Sequence, residues 1–129
     1  MSEPLHAESL EASLTVKNLD ESTSWYRDVL GFSVDKEHQR GGRKIAVTLR
    51  AGSVRILLTQ DDGAKGLDRA KGEGFSLQIT TRQSVDAIAA QIKSHGGVLD
   101  METTTAPWGV RFIRFRDPDG FRFTLSSAA

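Results

Sequence analysis

The stretch Leu10-Glu11-Ala12-Ser13-Leu14-Thr15-Val16-Lys17-Asn18-Leu19-Asp20-Glu21-Ser22-Thr23-Ser24-Trp25-Tyr26-Arg27-Asp28-Val29-Leu30-Gly31 changes its hydrophobic period partway along. Up to Val16, apolar residues alternate with Glu11, Ser13 and Thr15, the period of two expected of a strand with one buried face. Beyond Asn18 or Asp20, either of which can cap a helix, Trp25, Tyr26, Val29 and Leu30 recur at three- and four-residue spacing until Gly31 stops the pattern. A strand followed by an amphipathic helix of about three turns is predicted. Further along, residues 32–36, 44–50 and 54–59 read as strands, with Gly41-Gly42 and Ala51-Gly52 as turns between them. The unit is β-α-β-β-β.

The same order returns in the second half. Phe75, Leu77 and Ile79 alternate with Ser76, Gln78 and Thr80. Ser84 can cap a helix carrying Val85, Ile88, Ala89 and Ile92, and Gly96-Gly97 ends it. Residues 98–103, 110–116 and 121–125 supply three more strands, with Asp117-Pro118-Asp119-Gly120 as the last turn. Repeat one covers about 9–60 and repeat two about 74–127. Between them, residues 61–73 are rich in glycine and charge, lack periodicity, and read as a linker that buries nothing. This internal duplication predicts one α+β domain over residues 1–129: two tandem βαβββ repeats forming paired curled mixed sheets around a cleft, with helices outside. Function is expected in the cleft.

Composition narrows the chemistry. The 129 residues include no cysteine, which excludes disulfides, thiolate metal sites and cysteine nucleophiles. Seventeen basic residues balance 17 acidic ones and no long basic run occurs, so nucleic acid is not an expected partner. The polar opening, residues 1–10, predicts neither an export signal nor a membrane helix and points to the cytoplasm.

Three blocks carry a family resemblance: Val16-Lys17-Asn18-Leu19-Asp20-Glu21-Ser22, Trp25-Tyr26-Arg27-Asp28-Val29-Leu30-Gly31-Phe32, and Asp117-Pro118-Asp119-Gly120-Phe121. Over about residues 9–127 the chain resembles the glyoxalase/bleomycin-resistance/dioxygenase (vicinal oxygen chelate) superfamily. Each block also has a plain structural meaning, the Trp25-Tyr26 pair being read first as core packing. The resemblance implies a homodimer. It also implies a cleft in which metal-using relatives place His or Glu ligands on the first and last strands of each repeat. Those positions fall here on Glu11, Gly74, Leu57 and Thr124, which cannot form a metal site. His6, His38 and His95 match no ligand position. No metal and no other cofactor is expected.

If the polar residues of the strands face the cleft, Thr48, Arg50, Arg55, Leu57 and Thr59 line it from repeat one, with Glu11 beside them. Repeat two adds Ser76, Gln78, Thr80, Arg122 and Thr124. Such a lining suits an anionic or carbonyl-rich ligand, and the same polarity equally suits a face open to water. Trp108, in a Pro107-Trp108-Gly109 loop, reads as an aromatic platform or as packing between repeats. Arg111 faces away from Arg114 and Arg116, and some of these arginines are expected to pair with Asp117 or Asp119 across the turn. The candidate ligand-binding set is Glu11, Thr48, Arg50, Leu57, Gln78, Trp108, Arg122 and Thr124. Three functions remain, the first two implied by the resemblance: a metal-free small-molecule binder with a sequestering or resistance-like role; a lyase, isomerase or dioxygenase-type enzyme with a nonstandard or metal-free site using Glu11; or an accessory domain.

Overall fold

The structure is a computed structural model that describes residues 3–128, so the outermost residues of the expected domain, 1, 2 and 129, lie outside the described residues. Repeat one contains β1 (Ala12–Val16), α1 (Leu19–Trp25), β2 (Ser33–Arg40), β3 (Arg43–Ala51) and β4 (Val54–Gln60). Repeat two contains β5 (Leu77–Thr80), α2 (Val85–Ser94), β6 (Leu99–Thr105), β7 (Val110–Arg116) and β8 (Arg122–Ala128). Each repeat forms its own four-stranded mixed sheet, in the orders β1-β4-β3-β2 and β5-β8-β7-β6. The first strand of each repeat runs parallel to the last, and the remaining pairs are antiparallel. This is the α+β arrangement of two βαβββ repeats, and the two sheets are not closed on one another.

Local chemistry accounts for the helices. Asn18, rather than Asp20, caps α1, its Oδ1 accepting from the Glu21 N–H at 3.0 Å. The helix then widens into a π-helical turn over Tyr26–Leu30 before Gly31, at φ 88°, turns the chain. The N–H groups of both Gly31 and Phe32 donate to the Tyr26 carbonyl. Ser84 caps α2 through the Ala87 N–H at 3.2 Å.

Strand ends depart from the alternation. β1 begins at Ala12 and leaves Leu10 fully exposed, because its ladder with β4 starts at Ala12↔Ile56. Likewise Phe75 stays outside β5 and packs on Phe121 instead, with ring centroids 6.3 Å apart. Conversely, β2 and β8 run several residues beyond their hydrophobic cores, since main-chain pairing with β3 and β7 continues there.

One continuous core joins the repeats. It takes Leu14, Val16, Leu49, Ile56 and Leu58 from the first sheet and Ile113, Phe115, Phe123 and Leu125 from the second. Tyr26, Val29, Ala89 and Ile92 enter it from the helices. Tyr26 is its hub, meeting Trp25, Phe32 and Phe123 in edge-to-face geometry at centroid distances of 4.9, 5.7 and 6.0 Å. The Trp25-Tyr26 pair is therefore packing. The end of α2 presses on the π turn so closely that a Cβ on Gly97 would lie 2.5 Å from Ile92 Cγ2 and 2.7 Å from Val29 Cγ1.

The Asp117-Pro118-Asp119-Gly120 turn is stitched to repeat one rather than to the neighbouring arginines. Asp117 Oδ1 accepts from the Asp119 and Phe121 N–H groups at 2.9 and 2.8 Å, and Oδ2 accepts from the Tyr26 hydroxyl at 2.7 Å. Asp119 accepts from the Lys17 N–H at 2.9 Å and the Ser22 hydroxyl at 3.3 Å. The expected arginine pairs form elsewhere: Arg111 with Asp86 at 2.8 Å and Arg116 with Asp100 at 2.9 Å. Both carboxylates of the turn are already engaged, and the arginines reach acids on α2 and β6.

Replacing Tyr26 by Phe keeps the ring and strips a buried carboxylate of its side-chain donor, so it is expected to cost about 1–3 kcal/mol in urea unfolding. Gly97→Ala should cost a similar amount, about 1–3 kcal/mol, through overpacking of α2 against the π turn.

Candidate functional site

Because the apolar face of each sheet belongs to the core, the opposite faces carry the polar side chains. On the first sheet, Ser13, Leu57 and Thr48 stand in one cross-strand row and Thr15 and Thr59 in the next, with hydroxyls 3.2 Å apart. Thr48 Oγ1 lies 3.0 Å from His38 Nε2. Arg50 approaches Asp35 at 3.7 Å and Arg55 approaches Glu11 at 3.9 Å, so both arginines of this face have acidic neighbours.

The second sheet is built the same way but charged differently. Gln78, Thr124 and Arg114 form one cross-strand row over β5, β8 and β7. Arg116 and Arg122 stand directly opposite one another in the next. With Ser76 and Asp100 they line a depression of about 340 Å³. A larger cleft of about 610 Å³ runs between the edges of β1 and β5, where Glu11, Arg55, Ser76 and Gln78 meet the apolar Ala12, Ile56, Leu77 and Ile79.

The sequence-predicted residues are thus distributed over three places. Gln78, Arg122 and Thr124 converge on the second sheet, and Glu11 and Gln78 meet at the seam between repeats. Thr48, Arg50 and Leu57 lie on the first sheet. Trp108 joins none of them: it sits on the β6–β7 turn, 78% exposed, and lines none of these clefts.

The positions where metal-using relatives hold an ion do not fit one here. Leu57 and Gly74 bring no donor, Thr124 brings a neutral hydroxyl, and the one carboxylate, Glu11, leans toward Arg55. Among the described residues, no group of three His, Cys, Asp or Glu side chains is placed to hold a metal.

Sequence reading missed a charge cluster in the linker. Asp61 and Lys71, whose side chains are 3% and 6% exposed, lie 2.9 Å apart. Arg69 adds a second contact to Asp61 at 2.9 Å, and Lys71 also lies 3.5 Å from Asp119. Segment 61–73 therefore buries charge, which hydrophobic periodicity does not register. The Gly63 N–H, then Lys71 and Arg69, hold the Asp61 carboxyl well below the usual carboxylate range. Burial pushes the Asp117 carboxyl up despite the Tyr26 hydroxyl, and the Tyr26 hydroxyl is raised far above its ordinary value, first by burial and then by Asp117.

Two βαβββ repeats, each with a helix on the apolar side of a four-stranded sheet and polar groups on the other, define a duplicated α+β class. The chain belongs to the Glyoxalase/Bleomycin resistance protein/Dioxygenase superfamily, whose sequence profile it matches over residues 6–125. Solved structures agree in fold. A member of that superfamily from Sphaerobacter thermophilus is similar with a TM-score of 0.73 at 23% identity, covering 95% of this chain and 98% of its own. TioX from Micromonospora sp. ML1 is similar with a TM-score of 0.73 at 18% identity, covering 95% and 100%. A glyoxalase/bleomycin resistance protein/dioxygenase from Nocardioides is similar at 0.70 and 16%, covering 97% and 86%. No curated protein sequence matches the chain. No helix among the described residues is long and apolar enough to cross a membrane.

The depressed Asp61 group stabilises the fold above its unfolded pKa of about 3.9, and that contribution is lost as pH falls through the folded value. Asp117, shifted upward, works in the opposite sense over the same acid range. Asp61→Asn is therefore expected to lower stability at pH 7 and to flatten its fall below pH 4, measured by urea unfolding at pH 7, 5 and 3.

Proposed function

We propose that this is a cytoplasmic small-molecule-binding protein of the glyoxalase/bleomycin-resistance type, which holds its ligand on the polar sheet faces without the family's metal. A sequestering, resistance-like role follows from this reading. The observation that carries it is the convergence of Gln78, Thr124 and Arg122 around the depression on β5, β8 and β7. These groups offer amide, hydroxyl and guanidinium donors on rigid strands, the setting in which a few polar contacts fix the orientation of a ligand. Glu11, Thr48, Arg50 and Leu57 would serve the corresponding face of repeat one. Open polar faces of this kind suit a homodimer in which a second copy covers them.

Chelator-stripped protein given excess manganese, nickel, zinc or iron(II) is expected to keep its thermal unfolding midpoint. A rise of roughly 10 °C with one ion, the size expected at about 100 times the dissociation constant, would overturn the metal-free reading and favour an enzyme. In a fragment screen followed by amide NMR, bound compounds should perturb Gln78, Arg122 and Thr124. Perturbations confined to other surfaces would defeat the assignment. Sedimentation should give twice the mass of one chain.

A further inference from the structure

We infer that the face formed by β5, β8 and β7 recognises a compact dianion, a phosphate monoester or a dicarboxylate, through Arg114 and Arg122. The inference rests on the binding reading above and adds the class of ligand.

A local rule is broken on this face. Arg116 and Arg122 are directly opposite in the β7–β8 ladder, and like charges in that position destabilise a sheet. Arg114 stands on the same face, one row along. All three line the depression, and Asp100 is the one carboxylate that lines it with them. Asp100 is taken by Arg116, with Nε at 2.9 Å. Among the described residues, neither Arg114 nor Arg122 has an ion pair; Arg114 has instead its guanidinium carbon 5.4 Å from the centre of the Phe112 ring. Three guanidinium groups against one carboxylate leave two positive charges unmatched.

The other repeat provides the contrast. There the face arginines, Arg50 and Arg55, each have a carboxylate within 4 Å. The face arginines of the first sheet are thus compensated, and two of the three on the second are not. Functional sites are among the places where proteins depart from such local consistency. Guanidinium groups present planar forks of N–H donors that match oxyanions in two-point contacts. Thr124, between Gln78 and Arg114 in its row, and Gln78 itself add neutral donors. The depression, of about 340 Å³, is of a size that takes a small molecule.

The test uses the full chain at low ionic strength, with phenyl phosphate, phthalate and neutral benzyl alcohol as probes. Binding is followed by arginine side-chain NMR and by thermal unfolding. At least one dianion is expected to shift the Arg114 and Arg122 signals and raise the midpoint, and the tighter of the two separates a phosphate from a dicarboxylate. Arg122→Gln should weaken that binding tenfold or more, while Arg55→Gln, on the other sheet, should not. Without ligand, Arg122→Gln should melt no lower than the wild type, because it relieves the Arg116–Arg122 repulsion; a lower midpoint would make Arg122 structural and overturn the proposal. If benzyl alcohol binds this face and neither dianion does, the ligand class is wrong and the binding reading stands. If none of the three binds there, both fall.

Discussion

The bond between the Tyr26 hydroxyl and Asp117 is the constraint around which the molecule is organised. A carboxylate withdrawn from water costs several kcal/mol unless its lone pairs are satisfied, and Asp117 meets that requirement with one side-chain and two backbone donors. The donors come from both halves of the duplication. Tyr26 belongs to the π turn of repeat one, and the N–H groups belong to the last turn of repeat two. Asp119, two residues on, reaches the Lys17 N–H and Ser22, so the same turn also holds the chain leading into α1. With the hydroxyl fixed, the Tyr26 ring sets the positions of Phe32, Phe123 and Trp25 around it. The apolar sides of both sheets are gathered toward one core, and the polar sides are left for other uses.

Those polar sides show how a duplicated architecture acquires asymmetry. The rows Ser13–Leu57–Thr48 and Gln78–Thr124–Arg114 occupy corresponding strands of their sheets, yet one is centred on an aliphatic side chain and the other on a hydroxyl. The backbone pairing that supports them is the same, so recognition can change on one sheet without altering the fold.

Much of this was legible in the sequence, for identifiable reasons. The switch from period two to period three or four at Asn18 and the glycine stops at Gly31 and Gly96 located the helices, because burial of one face leaves a periodic trace. The charges resisted reading. Arg116 was free by sequence to pair with either acid of its own turn, and the outcome depended on Tyr26 and Lys17 having occupied those acids from far along the chain. Lys71 and Asp61 lie in a segment with no hydrophobic pattern, and a buried ion pair produces none. Of the candidate site, Gln78, Arg122 and Thr124 share a depression because alternate residues of paired strands share a face. Trp108 lay on a turn, where strand alternation gives no direction.

The parallel pairing of β1 with β4 has a consequence for how the molecule assembles. β2, β3 and β4 join through tight hairpins and need only short loops to close, whereas β1 meets β4 across the rest of its repeat. Closing the longer loop costs more chain entropy, and non-local pairings of this kind slow folding. β5 stands in the same relation to β8. Each polar face is therefore a three-stranded meander to which the first strand of the repeat adds across the longer loop. Gln78 stands beside Thr124 through that longer closure, so the row Gln78–Thr124–Arg114 joins the local and the non-local pairings of its sheet.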